Sequence, residues 1–305
     1  MQYPKPLSRK TMIKRFEEIG LDEEETRFLH EFCLAASHLY GAVNAKNLWR
    51  VYEKLSRKKE VVPLTQDNLN DGLELMRRET LRYYIFEADE VFNGETEDPE
   101  KRILVSRDLI GHGTGRLDQL YRLFENTEYV GFYVPATFMD HREDRLGMEE
   151  GALVEFLSSL VSESARCMDE NGHLCENKNR GKKLSEFSFS MSGVRTMTGA
   201  EKDLYGHARG NIARHPFGLE EELREISAAR RIVYSLKYET RMGDIPLTDV
   251  IQILISELDE TLGVRLNDEQ YMVVVTLAHE VITRTHLWCK SGWSMKALQT
   301  AHFRE

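Results

Sequence analysis

Two stretches of the chain pair an arginine with a histidine at a spacing suited to RNA cleavage. RDLIGH runs from Arg107 to His112, and RGNIARH runs from Arg209 to His215. A guanidinium and an imidazole close together on a helix could activate a ribose hydroxyl and stabilise the charge that develops on the phosphate. A glycine inside the first stretch and a proline directly after the second both disfavour a regular helix there.

The first pair has a further feature, because Asp108 follows its arginine directly. A polar residue at that position resembles the motif of HEPN-type ribonucleases. However, a chain with 41 basic residues and 10 histidines also produces such pairs by chance. A HEPN-like RNA-cleaving nuclease that uses one of the Arg/His pairs is therefore an alternative function, and a non-catalytic protein is favoured over it.

Three candidate zinc ligands, Cys167, His173 and Cys175, lie close together in a polar stretch. A structural zinc site needs four ligands, so the fourth would have to come from elsewhere in the chain. The spacing of the three residues is also unlike that of the common zinc fingers and ribbons. His279 and Glu280 begin no H-E-x-x-H motif, because position 283 is a threonine. We therefore expect no metal and no cofactor.

A helix predicted over residues 44–59 has an apolar side and a strongly basic side. Its cations could neutralise the phosphates of a nucleic acid or the carboxylates of a protein. We take these cations as the candidate binding residues: Lys46, Arg50, Lys54, Arg57 and Lys58.

The elements around this helix predict the type of domain. Helices are expected over 8–20, 22–39, 44–59 and 65–76, and two strand-type runs follow at 81–86 and 102–106. Helices followed by a β-hairpin are the element order of a winged-helix domain. In such a domain the helix just before the hairpin usually enters the DNA major groove.

Here that helix and the hairpin connection are both acidic. The helix carries Asp67, Asp71 and Glu74, and the connection carries Glu87, Asp89, Glu90, Glu95, Glu97 and Asp98. Both surfaces would repel phosphate, so a winged-helix fold that contacts protein is favoured over one that reads DNA. A DNA-binding regulator is the second alternative, with nucleic acid bound through the basic helix.

The rest of the chain is predicted to be mostly helical. Helices are expected over about 148–168, 198–209, 217–239, 247–262, 267–289 and 294–301, and the short connections among the later ones favour a bundle. The sequence thus predicts a mainly α protein in three parts. These are a winged-helix-like domain over 1–110, a helical connector with a flexible polar segment over 111–185, and a helical bundle over 186–305.

The composition fits a globular chain of 305 residues with 41% apolar residues and a net charge of -10. This charge disfavours non-specific attraction to nucleic acid or to an anionic membrane. No apolar run reaches the roughly 18 residues of a membrane span, and the start lacks a signal-peptide core. We expect a cytoplasmic location. P-loop, dinucleotide-binding and serine-hydrolase motifs are absent from the sequence.

Three separated segments resemble the markers of a group of Firmicute proteins of unknown function. They are LYGAV at 39–43, YVGFYVPATFMDH at 129–141 and THLWCKSGWS at 285–294. Proteins of this group often end in a SEC-C zinc-binding motif, whose cysteine cluster this sequence lacks. The resemblance implies a small helical domain with a terminal hairpin and a cytoplasmic setting, and it does not imply a zinc tail.

Together these patterns favour a cytoplasmic regulatory or adaptor protein without catalytic activity. We expect it to act by binding another macromolecule, mainly a protein. The nuclease and the DNA-binding regulator are the alternatives.

Overall fold

The computed structural model describes residues 4–58, 61–79, 81–92, 98–111, 123, 131–143, 147–164, 228–243, 245–262 and 264–302. These residues form two compact units. The first unit contains the described residues up to 143 together with 288–293, and the second contains the remainder. The segment 169–186 and the predicted helix 198–209 lie outside the described residues. The three-part division at residues 110 and 185 stays a prediction.

The first unit begins with its longer helices. The elements up to residue 76 are α1 (Arg9–Glu18), α2 (Glu23–Tyr40), β1 (Ala42–Asn44), α3 (Ala45–Lys58) and α4 (Gln66–Met76). Shorter elements follow: β2 (Tyr83–Phe86), α5 (Ala88–Val91), a 3-10 helix (Pro99–Lys101), β3 (Ile103–Ser106), α6 (Arg107–Gly111) and a second 3-10 helix (Phe138–Arg142).

Capping side chains set the starts of these helices. Ser8 caps α1, and Asp22 and Glu25 form a reciprocal capping box at α2. At α3, the Asn44 side-chain oxygen accepts a hydrogen bond from the backbone amide of Asn47 at 2.8 Å. Each cap supplies an acceptor that the first turn of a helix otherwise lacks. The helix starts predicted at Ser8 and Asn44 are confirmed.

The three strands form an antiparallel sheet in the order β1-β3-β2. In the central strand, Val105 lies opposite Ala42 of β1 on one side and Tyr84 of β2 on the other. The strands predicted at 81–86 and 102–106 are confirmed as β2 and β3. β1 has no counterpart in the sequence prediction, because three residues between two helices give too short a pattern.

The order of these elements is that of a winged-helix domain. α2, β1, α3, α4, β2 and β3 follow one another as helix, strand, helix, helix, strand and strand, and the first strand pairs with the last. The predicted mainly α fold with a winged-helix-like first domain is therefore confirmed. The connection between β2 and β3, residues 87–102, corresponds to the wing and contains α5 and the first 3-10 helix.

The hydrophobic core of the first unit is built around α2. The Phe32 ring centroid lies 5.4 Å from that of Phe138 and 6.1 Å from that of Tyr52. Leu48 of α3 and Leu69 of α4 belong to the same buried cluster. The core therefore fixes α3 against α2, with the opposite side of α3 left in solvent.

The second unit is a helical bundle, as predicted. Its helices are α7 (Met148–Ser164), α8 (Ala228–Met242), α9 (Leu247–Leu262), α10 (Asp268–Arg284) and α11 (Met295–His302). α7 packs against α8 and α10, and α9 packs against the same two helices. Leu157, Val233, Leu258 and Ile282 are fully buried between them. Among the described residues, no helix combines the length and the apolar character needed to cross a membrane.

Candidate partner-binding surface

Of the two Arg/His pairs, only Arg107 lies in the described part of the chain. It is the first residue of α6, which extends to Gly111, so the glycine does not prevent a short helix. Burial raises the pKa of the Tyr84 hydroxyl, and the nearby charge of Arg107 partly offsets this rise. Both pairs stay predictions, because their other members lie outside the described residues: His112, Arg209 and His215.

The candidate zinc ligands Cys167, His173 and Cys175 also lie outside the described residues. Within the described part, no group of three or more histidine, cysteine, aspartate or glutamate side chains could hold a metal ion. Cys33 is fully buried, and desolvation raises the pKa of its thiol far above the ordinary range. The Cys33 thiol is therefore a core side chain rather than a nucleophile.

α3 buries one side and exposes a row of cations on the other. Leu48, Val51 and Leu55 are buried in the core. The exposed cations recur every three or four residues, so they lie within an arc of about 80° on one side of the helix. We call this row the basic stripe; its members are Lys46, Arg50, Lys54 and Arg57. The side chain of Lys58, the fifth predicted member, lies outside the described part.

The basic stripe has few acidic neighbours. Within the described part of the chain, Arg50 donates only to an uncharged amide oxygen on its own helix, at 3.0 Å. Lys54 donates to the backbone carbonyl oxygen of Phe132 at 3.2 Å. Among the described residues, only the Lys46 ammonium of the stripe approaches a carboxylate, that of Glu100 at 3.9 Å. The stripe is about 16 Å long at 1.5 Å per residue, and the described residues of the first unit leave most of its charge unpaired.

α4 exposes acidic side chains, as predicted, but the wing differs from the prediction. Asp67, Asp71 and Glu74 are exposed on α4. In the wing, Glu87 and Glu90 are only 5% and 1% exposed, so they do not belong to a surface that repels phosphate. The acidic surface is smaller than the sequence suggests. The helix that would enter a DNA groove nevertheless presents three carboxylates.

Two arginines neutralise the buried glutamates of the wing. Arg77 donates to Glu87 and to Glu90, each at 2.6 Å, and Arg102 donates to Glu87 at 2.8 Å. Arg102 also donates to the Asn70 carbonyl oxygen at 2.7 Å. Opposite charges and hydrogen bonds thus compensate for the desolvation of all four side chains. We call Arg77, Glu87, Glu90 and Arg102 the buried charge cluster; it ties the wing to the end of α4.

A polar cavity of about 350 Å³ lies beside the buried charge cluster. Its charged lining consists of Glu74, Arg77, Arg78, Glu87, Asp98 and Arg102. Equal numbers of positive and negative side chains give the cavity no preference for a ligand of one sign. We therefore assign no ligand to it.

A pair of aromatic rings lies near Lys54 of the basic stripe. Tyr133 and Trp293 are half-buried, and their ring centroids are 4.6 Å apart. The Trp293 indole N–H donates to the Gly131 carbonyl oxygen at 2.8 Å, and the Tyr133 amide donates to a carbonyl oxygen of the segment that carries Trp293 at 3.1 Å. Lys54 bonds to Phe132, the residue before Tyr133, so stripe and rings are neighbours. We call Tyr133 and Trp293 the aromatic ledge.

A second tryptophan explains why the segment 288–293 belongs to the first unit. Trp288 is fully buried, and its indole N–H donates to a carbonyl oxygen near the end of α2 at 3.0 Å. Gly41 has a φ of 72°, and a Cβ there would lie 2.4 Å from the Trp288 ring. Gly292 has a φ of 83°, and a Cβ there would lie 2.7 Å from the Tyr40 ring. Both positions therefore require glycine.

Sequence reasoning identified the basic stripe but missed the aromatic ledge. The stripe follows a regular helical spacing, whereas the ledge joins two distant segments. A signal was present, because Tyr133 and Trp293 lie in two of the three segments that carry the family resemblance.

No family model matches the chain, and no curated protein or solved structure shows significant similarity to it. The resemblance to the Firmicute group therefore stays a proposal from the sequence. Function must be argued from the charges and contacts of the described residues.

Proposed function

We propose that this protein is a non-catalytic regulatory or adaptor protein, acting in the cytoplasm, that binds an acidic segment of a partner protein through the basic stripe. The observation that carries the proposal is the row of four exposed cations, of which only Lys46 has a carboxylate within 4 Å among the described residues. An acidic partner would complete this row, because electrostatic complementarity steers association and sets specificity.

The composition of α3 supports a role in binding. Cations on surface helices are commonly balanced by acidic residues three or four positions away. α3 contains a single acidic residue, Glu53, and no ion pair joins it to the stripe in the described structure. The positive charge is thus concentrated on the exposed side of a helix whose other side is fixed in the core.

Two observations favour a protein over DNA as the partner. α4, the helix that would enter a DNA groove, exposes Asp67, Asp71 and Glu74. The whole chain also carries a net charge of -10, which opposes the approach of a long polyanion. An acidic protein segment carries fewer charges and is repelled less.

The test is a selection of random peptides on the immobilised full-length protein. We expect the selected peptides to be enriched in aspartate and glutamate. The double variant Arg50→Gln/Arg57→Gln should bind them about tenfold more weakly, because two ion pairs worth about 0.5–1 kcal/mol each are lost. Affinities are measured by fluorescence anisotropy at low ionic strength, where exposed charges are least screened.

The matched control is Lys10→Gln/Lys14→Gln, which removes two exposed cations from α1 and changes the net charge equally. This control should bind the selected peptides as the wild type does. Peptides without acidic enrichment, or equal losses in the two double variants, would refute the proposal. Tighter binding of duplex DNA than of any peptide, lost in Arg50→Gln/Arg57→Gln, would replace it by the DNA-binding alternative.

A further inference from the structure

We propose that the basic stripe and the aromatic ledge form one surface, whose ligand is a linear peptide segment with several acidic residues next to an aromatic residue. This inference rests on the proposed function and adds the aromatic requirement to it. Both parts of the surface belong to the first unit. They meet at Phe132, whose carbonyl oxygen accepts a hydrogen bond from Lys54 and whose neighbour in the chain is Tyr133.

The partly exposed Trp293 ring offers apolar surface to a ligand, because the polar groups near it are already engaged. The Trp293 indole N–H donates a hydrogen bond to the Gly131 carbonyl oxygen. The Tyr133 carbonyl oxygen accepts a hydrogen bond from the Tyr40 hydroxyl at 2.8 Å, and the Tyr133 amide donates to Ser291. A ligand group here gains by apolar contact and stacking, which favour an aromatic side chain.

The two tryptophans of the segment 288–293 have different surroundings. Trp288 is fully buried and anchors the segment in the first unit. Trp293 is partly exposed and packs on Tyr133 rather than in the hydrophobic core cluster. Tryptophan and tyrosine are the residue types that most often dominate binding energy at protein interfaces. Trp293 packs on Tyr133, the residue after the Phe132 carbonyl that Lys54 bonds, and this position points to a ligand contact.

The spacing of the cations suits an extended peptide. Lys46, Arg50 and Lys54 are four residues apart, hence about 6 Å apart along the helix. In an extended chain, side chains on one side recur about every 6.6 Å. Acidic residues at alternate positions can therefore face successive cations, and the aromatic residue lies near Lys54, at the ledge.

Cations beside aromatic rings also occur on surfaces that bind single-stranded nucleic acid. Acidic side chains near the stripe favour a peptide over single-stranded nucleic acid as the ligand. Glu100 lies 3.9 Å from Lys46 at one end of the stripe, and Glu53 lies on the same helix. These carboxylates and the net charge of -10 repel a polyanion more strongly than a peptide with few acidic residues.

The test uses the full chain and labelled synthetic peptides in which aspartate alternates with serine. One peptide carries a tryptophan at its amino end, and a second carries it at its carboxyl end. The matched control peptide has serine at both of these positions. We expect one tryptophan peptide to bind about tenfold more tightly than the serine peptide in fluorescence anisotropy. Trp293→Ala should remove this ratio without changing the affinity for the serine peptide. Trp293→Phe keeps an aromatic ring and should preserve most of the ratio.

The outcomes separate this inference from the proposed function. A ratio near one in the wild type, with binding still dependent on Arg50 and Arg57, would overturn the inference and leave the proposed function standing. If none of these peptides binds, the inference is overturned. If the random-peptide selection also shows no enrichment in acidic residues, the proposed function is refuted as well. Tighter binding of oligothymidylate, lost in Trp293→Ala, would replace the peptide by single-stranded nucleic acid. The ratio of the two peptide affinities is measured on the wild-type protein, so it does not depend on the folding of any variant. Circular dichroism checks that the variants are folded.

Discussion

The buried charge cluster and the basic stripe lie in the same unit and place their arginines in opposite surroundings. In the cluster, the side chains of Arg77 and Arg102 are 10% and 6% exposed and donate to Glu87 within 2.8 Å. In the stripe, Arg50 and Arg57 are exposed, and neither has a carboxylate within 4 Å among the described residues.

This difference separates charges that hold the fold from charges that are available to a partner. A buried charge must be compensated within the protein, so removal of one member leaves another uncompensated. An exposed charge is compensated by water, so it can be removed with little effect on stability. Burial and pairing, rather than residue type, therefore predict which variants unfold the protein and which lose binding.

The largest effect is expected in the buried charge cluster. Glu87→Gln gives Arg102 a neutral amide in place of its nearest carboxylate and leaves Arg77 with Glu90 alone, and we expect a loss of about 3 kcal/mol in the free energy of unfolding, measured with urea. The matched control is Glu74→Gln, whose side chain is 61% exposed and 3.9 Å from Arg102. It should cost less than about 0.5 kcal/mol. Similar losses of stability in the two variants would show that burial does not decide which carboxylate stabilises the fold.

Glu257 in the second unit is the converse case, a mostly buried carboxylate beside a like charge. Burial and the charge of Glu239 together raise its pKa to about 7, against an opposing hydrogen bond from Ser235. The folded state thus binds more protons than the unfolded state between about pH 4.5 and 7, so stability falls as pH rises through this window. We expect Glu257→Gln to be about 2 kcal/mol more stable than the wild type above pH 7.

Urea unfolding in acid and in alkaline buffer checks this prediction, because the advantage should vanish below the pKa of an unfolded carboxylate. Asp259→Asn is the control, since Asp259 is 57% exposed and lies 3.6 Å from Arg265. A pH-independent difference between Glu257→Gln and the wild type would show that charge is not the cause.

An intermediate case is the half-buried pair of His30 and Glu79. The His30 ring nitrogens lie 2.5 Å from the Glu79 carboxylate and 2.7 Å from the Thr26 carbonyl oxygen. Burial alone lowers the pKa of His30, but the hydrogen bond and charge of Glu79 and the Thr26 carbonyl together raise it above 6.5. The pair therefore contributes stability below about pH 6.5 that is lost as pH rises through the raised pKa.

We expect this contribution to be about 1 kcal/mol. An NMR titration of the His30 ring should give a pKa above 6.5 in the wild type. In Glu79→Gln the pKa should fall, because burial then dominates. An unchanged pKa in Glu79→Gln would mean that the carboxylate does not stabilise the imidazolium.

The smallest effect on stability is expected in the basic stripe. Arg50→Gln/Arg57→Gln should change the free energy of unfolding by less than about 0.5 kcal/mol, because both side chains are exposed and neither has an ion-pair partner among the described residues. The same variant should lose affinity for acidic peptides. A loss of stability comparable with that of Glu87→Gln would assign the stripe to the fold instead of to a partner.

Local patterns predicted the longer helices of the described part and the row of exposed cations on α3. Caps such as Ser8 and Asn44 act within one turn, so the sequence alone shows them. The helix predicted over 267–289 is a partial exception, because α10 ends at Arg284 and a 3-10 helix follows at Trp288–Lys290. Apolar residues continue past Arg284, and their pattern does not show that they pack elsewhere.

Features that depend on distant contacts were not predictable in this way. The wing glutamates look like a solvent-exposed acidic run, and only the approach of Arg77 and Arg102 shows that Glu87 and Glu90 are buried. The aromatic ledge likewise requires contact between segments 162 positions apart. Periodicity describes one element at a time, so it carries no information on which elements meet.

The burial of Trp288 also constrains how the protein is made. Trp288 follows His38, its hydrogen-bond partner, by 250 positions. During translation, α2 leaves the ribosome while Trp288 has not yet been added to the chain. Until then the space against Gly41 that the indole ring fills stays uncovered. The first unit therefore cannot complete its hydrophobic core until the ribosome has synthesised most of the chain.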